Sequence, residues 1–141
     1  MLFVAVESHA QMKQKELLAA FKAEFEDSNV GNPHIFPVSS AEPGSDYPFH
    51  GTELFDSYLP LFDNQLLEKL HQEAKPYAVY SVRHGATNGY IVRFEGLRTQ
   101  NLIGLFMIEN DELVFLRTLA LYECNDGKCL QMDSWMQDFD G

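Results

Sequence analysis

From Tyr77 to Trp135 the apolar residues change from helical spacing to a period of two. Five segments carry that period: Tyr77 to Arg83, Gly89 to Glu95, Asn101 to Ile108, Glu112 to Glu123, and Cys129 to Trp135. The connections between them are short. Short connections permit only antiparallel neighbours, because a parallel crossover needs a dozen or more residues, so this half of the chain is restricted to a meander. Asn110-Asp111 suits a tight hairpin turn, and Asn125-Asp126-Gly127 supplies residues that accept positive φ. The third segment, Leu102-Ile103-Gly104-Leu105-Phe106-Met107-Ile108, is apolar on both faces. It is expected at the centre of the sheet, covered on one side by helices and on the other by the sheet's own curl, a further segment or a partner.

Ahead of the strands, Leu17, Leu18, Phe21 and Phe25 recur every three or four residues between Gln11 and Glu26, with Lys13, Lys15, Lys22, Glu24 and Glu26 at other angles. That spacing predicts one amphipathic helix. Gly31, Pro33, Pro37, Pro43, Gly44 and Pro48 then impose a long irregular connection up to His50, with His34-Ile35-Phe36 as a short extended piece. A connection of that length is either a functional rim or a segment held down by its aromatics. Tyr47, Phe49, Phe55 and Tyr58 favour anchoring over the lining of a pocket. Thr52 is placed to cap a short helix through Tyr58 that Pro60 ends. Asp63 or Asn64 is placed to cap a second one, with Leu66, Leu67, Leu70 and Ala74 on one face and His71 beside it. The expected class is α+β: N-terminal helices packed on a five-stranded, curved antiparallel meander. By analogy alone, this order of elements is similar to the cone-shaped nuclear transport factor and cystatin folds.

The length of 141 residues suits one domain with a full core. Twenty-one acidic residues against ten basic ones give a net charge of −11, which repels a phosphate backbone and argues against nucleic acid as a partner. An acidic surface suits a basic protein, a cation or plain solubility. Met1 to Val6 followed by Glu7-Ser8-His9-Ala10-Gln11 resembles the tail of a secretory signal cleaved after Ala10, without the basic leader of a full one. Residues 1–10 are therefore expected to be a signal remnant and 11–141 a single domain; the competing reading makes Leu2 to Val6 a short strand of a cytosolic protein. No run approaches the roughly 18 apolar residues of a membrane span. Cys124 and Cys129 flank a four-residue loop between adjacent strands, which predicts a disulfide and, with it, a periplasmic or extracellular protein. As zinc ligands the two thiols alone would leave a tetrahedral site two short.

Arg83-His84-Gly85-Ala86-Thr87 resembles the opening signature of the histidine phosphatase superfamily, in which the histidine is phosphorylated and the arginine holds the phosphate. That family places the motif near its N-terminus and supplies a second histidine from a large α/β domain. Here no histidine follows His84, and antiparallel strands surround it, so the segment reads as a hairpin loop turned by Gly85 and Gly89. Asp138-Phe139-Asp140-Gly141 resembles the start of a calcium loop of the FG-GAP, dockerin and EF-hand-like kind. Asp138 and Asp140 supply too few oxygens for six to eight ligands, so calcium is expected only if the chain continues; no other cofactor is indicated. The function these features support is an exported, non-enzymatic module that binds a protein or glycan. The alternatives are a small pocket enzyme with His50, His84 and Asp133 as acid/base candidates, and an acidic inhibitor or immunity-type protein for a basic partner.

Overall fold

The computed structural model describes residues 2–27, 34–37, 46–69, 75–84, 87–95 and 101–135, with side chains throughout except at 2–12, 69, 84 and 125. It is a mixed α+β fold in which strands predominate. In chain order the elements are α1 (Leu2–Ala23), β1 (His34–Ile35), β2 (Thr52–Glu53), a 3-10 helix (Asp56–Leu61), α2 (Asn64–Lys69), β3 (Lys75–His84), β4 (Thr87–Glu95), β5 (Asn101–Glu109), β6 (Glu112–Asn125), β7 (Lys128–Met132) and β8 (Ser134–Trp135). The main sheet is antiparallel with order β2-β3-β4-β5-β6-β7, and β1 and β8 form a separate two-stranded ribbon. The meander from β3 to β7 follows the sequence pattern.

The sheet has six strands rather than five. Gly51 turns with φ 75°, which lays Thr52 and Glu53 against Ala78 and Tyr77 of β3, and the Leu54 N–H donates to the Pro76 carbonyl at 2.9 Å. Thr52 therefore extends an edge instead of capping a helix. The helix that follows starts at Asp56 and contains Pro60, a position a short 3-10 turn tolerates because few backbone donors are committed there. Asp63 caps α2 as expected, its Oδ1 accepting the Gln65 N–H at 2.9 Å; Leu70, His71 and Ala74 lie outside the described residues. The segment Cys129 to Trp135 also divides: β7 stays in the sheet, while β8 leaves it to pair with β1, Ile35 opposite Ser134 and His34 opposite Trp135. At the N-terminus the helix begins at Leu2, so Leu2 to Val6 is helical and not a strand.

Two cores sandwich the sheet. On one face Phe21 of α1 is fully buried, with ring centroids 4.8 Å from Phe25, 5.8 Å from Tyr90 and 6.0 Å from Phe62, at the edge-to-face and tilted geometries aromatic pairs favour. Leu54, Tyr58, Leu66, Val92, Phe94 and Phe106 complete that layer. On the other face Ile35, Tyr47 and Phe49, all from the proline-rich connection, pack on Val79, Ile91, Ile103, Leu105, Leu119 and Ala120. Both faces of β5 are thus covered, the second by a further segment of the same chain. The aromatics anchor that segment: Tyr47 Oη donates to the Phe36 carbonyl at 2.6 Å and Tyr80 Oη to the Pro48 carbonyl at 3.2 Å. Phe55 is the exception, 71% exposed.

Candidate functional site

The hairpin that ends the sheet is built from its turn outward. Asp126 and Gly127 have φ values of 52° and 78°, the pair of left-handed residues a two-residue hairpin turn needs, and Asn125 and Lys128 close it. Cys124 and Cys129 form the next cross-strand pair and are joined by a disulfide. The bridge ties β7 to β6 at the end of the strand order, where β7 has no second neighbour among the described residues. Every residue of β7 is exposed. Leu130 and Met132 lie on one face of the strand, 58% and 37% exposed, and Trp135 follows at 69%.

Beyond Met132 the chain is clasped. Asp133 Oδ2 meets His34 Nε2 at 2.5 Å, and the Trp135 indole stacks on the same imidazole with centroids 4.3 Å apart and planes 8° from parallel. Ile35, fully buried in the second core, anchors the ribbon next to this pair. The result is a half-buried histidine held between a carboxylate and an indole, the latter two continuous in the chain with the apolar edge strand.

The inner strands toward β2 hold a different cluster. Arg93 of β4 is completely buried, and its guanidinium donates from Nε and Nη2 to the His50 carbonyl at 3.1 and 2.9 Å, and from Nη1 to Glu95 Oε1 at 2.9 Å and Asn101 Oδ1 at 3.2 Å. The Tyr77 ring lies 4.2 Å from the guanidinium carbon, and Tyr77 Oη donates to Glu95 Oε2 at 3.2 Å. Burial is the main force pushing the Tyr77 phenol up to about 12; the Glu95 carboxylate adds to it and Arg93 opposes it. Burial likewise raises Tyr47 to about 12, against the pull of Arg93. One charge is thus neutralised, hydrogen-bonded and covered by a ring, an arrangement that pins the His50 end of the long connection to the sheet. Nearby, Glu53, Leu54, Phe55 and Asp56 line an open depression of about 280 Å³, just below the roughly 300–1,000 Å³ of ordinary small-molecule pockets.

Of the residues singled out from sequence, His50 and Asp133 are not brought together. His50 sits at the β2 edge with its ring 6.0 Å from Tyr77, and Asp133 follows β7 at the other edge and holds His34. His84 ends β3, and its side chain lies outside the described residues, as do Asp138 and Asp140 entirely. Sequence reasoning missed His34 and Trp135 as companions of Asp133 and missed the Arg93 cluster. The latter left a signal: a cation between Val92 and Phe94 in the otherwise apolar run from Tyr90 to Phe94. Among the described residues no three His, Cys, Asp or Glu side chains are placed to hold a metal ion, and no helix is long and apolar enough to cross a membrane. Compared with known proteins, the chain matches no family model, no curated protein and no solved structure.

Proposed function

We propose that this protein is an exported, non-enzymatic binding module whose docking surface runs along β7 and onto Trp135. The observation that carries the reading is the concentration of exposed Leu130, Met132 and Trp135 within six residues, on a strand that the Cys124–Cys129 bond holds in place. Scattered exposed apolar residues need no explanation; a contiguous group on a covalently stiffened edge is what an interaction surface requires. The disulfide also supports the export reading, since such bonds persist in oxidising compartments. A panel of immobilised peptides and glycans, probed with the wild type and with a Leu130→Glu/Trp135→Ala double variant, tests it. Ligands held by the wild type and lost by the variant are expected; ligands held equally by both would refute the assignment of the surface.

The alternative, a small enzyme of the cone-shaped kind, draws on one observation. Asp133 orients His34 as a carboxylate orients a general base, and His34 Nδ1 has no hydrogen-bond partner among the described residues. Hydrolysis of activated esters that disappears in His34→Gln and falls in Asp133→Asn would favour it.

A further inference from the structure

Resting on the reading of β7 as part of a docking surface, we infer that its outer edge takes an extended, basic segment of a partner protein as a further strand of the sheet. The ladder fixes which backbone groups are on offer. Asn125 and Lys128 close a two-residue turn and so exchange hydrogen bonds with each other; alternation makes Glu123 with Leu130 and Leu121 with Met132 the next bonded pairs. The N–H and C=O groups of Cys129 and Gln131 consequently point away from β6, to the side where no strand lies among the described residues. An incoming strand bonded to those groups sets one of its residues directly opposite Leu130, at the close spacing of a non-hydrogen-bonded pair, and another opposite Met132. It therefore needs apolar side chains at alternate positions. β7 carries only Lys128 as a charge against such pairing and has neither a proline nor a bulge.

Charge identifies the occupant. A second copy would bring a net −11 against −11, and symmetric pairing about Leu130 would set Lys128 opposite Met132. A foreign segment with lysine or arginine at the positions between its apolar residues meets the acidic protein with opposite sign. Backbone hydrogen bonds then supply affinity, the Leu130 and Met132 face supplies the apolar contact, and charge supplies the choice of partner.

The probe is a peptide of about six residues alternating lysine and valine, titrated into the protein by calorimetry and by amide NMR. Binding that weakens with salt and protects the Cys129 and Gln131 amides from exchange is expected. Gln131→Pro removes an outward donor while leaving the β6 ladder intact and should weaken binding about tenfold. N-methylation of the peptide's alternate amides tests the same bonds without altering the protein. Equal binding of a glutamate–valine peptide, or indifference to both Gln131→Pro and N-methylation, would overturn the inference. So would a concentration-dependent dimer abolished by Gln131→Pro, which would make the occupant a second copy. A peptide lost on Leu130→Glu but indifferent to Gln131→Pro overturns strand addition while leaving the docking surface standing; one indifferent to both variants overturns both.

Discussion

Replacing Arg93 should be among the most damaging single changes in the described part of the chain. The guanidinium is wholly buried and serves three acceptors: the His50 carbonyl, Glu95 and Asn101. Arg93→Met keeps much of the volume but strips the half-buried Glu95 carboxylate of its cation and leaves the Asn101 oxygen, itself buried, without that donor. Breaking a buried pair from one side costs about 3–5 kcal/mol, a large part of the roughly 5–15 kcal/mol that holds a domain folded. With a urea slope of about 1.5 kcal/mol/M, the midpoint should fall by about 2–3 M. Arg93→Lys retains the charge but cannot reach two donors onto the His50 carbonyl while also bonding Glu95 and Asn101, so it should cost about half as much. Adding Glu95→Gln to Arg93→Met should return about 1–2 kcal/mol by removing the stranded charge. Far-UV circular dichroism is the appropriate probe, because Trp135 reports on the clasp and not on this cluster. A loss under about 1 kcal/mol for Arg93→Met, or equal losses for Met and Lys, would refute the view that the fork geometry and the charge pair fix the His50 end of the connection to the sheet.

Tyr47 and Tyr77 keep their protons to about pH 12 in the fold, whereas an exposed phenol loses its proton near 10. Their raised values therefore contribute stability that is complete below about pH 10 and lost as pH rises toward 12; urea midpoints should decline through that window, and Tyr77→Phe should flatten the decline. Gly51→Ala forces a side chain into positive φ and sets its Cβ 2.6 Å from the Ala78 carbonyl oxygen, so it should cost at least about 1–2 kcal/mol and speed exchange of the Leu54 amide that bonds Pro76. Reducing the Cys124–Cys129 bond, whose residues are five apart, should lower stability by at most about 2 kcal/mol, with exchange rising in β7 and not in β4; a uniform rise across the sheet would contradict the terminal position of that hairpin.

The parts of this fold that were legible in the sequence are those whose physics is local. Alternation and left-handed turn residues define β3 to β7, and the three- and four-residue spacing of Leu17, Leu18 and Phe21 marks the second half of α1, whose first turns at Leu2 to Ala10 and whose end at Ala23 the spacing did not show. β2 was not legible, because two residues carry no period and Gly51 is their sole local sign. The division between β7 and β8 escaped for the opposite reason: Asp133 continues the alternation, and only its bond to His34, 99 residues away in sequence, shows that the chain has changed partners. Register slips at Val79, Leu116 and Leu119 likewise break the alternation at points no composition marks. At the candidate site the decisive local fact is the length of one turn. Reading Asn125 to Lys128 as a loop places the two cysteines opposite each other but leaves open which backbone groups of β7 face outward. The two-residue turn at Asp126-Gly127 settles that Cys129 and Gln131 do so, and a four-residue turn closed by the cysteine pair itself would have offered Leu130 and Met132 instead. The chemistry of the free edge thus follows from two left-handed residues at the hairpin tip, and Gln131→Pro tests that parity directly.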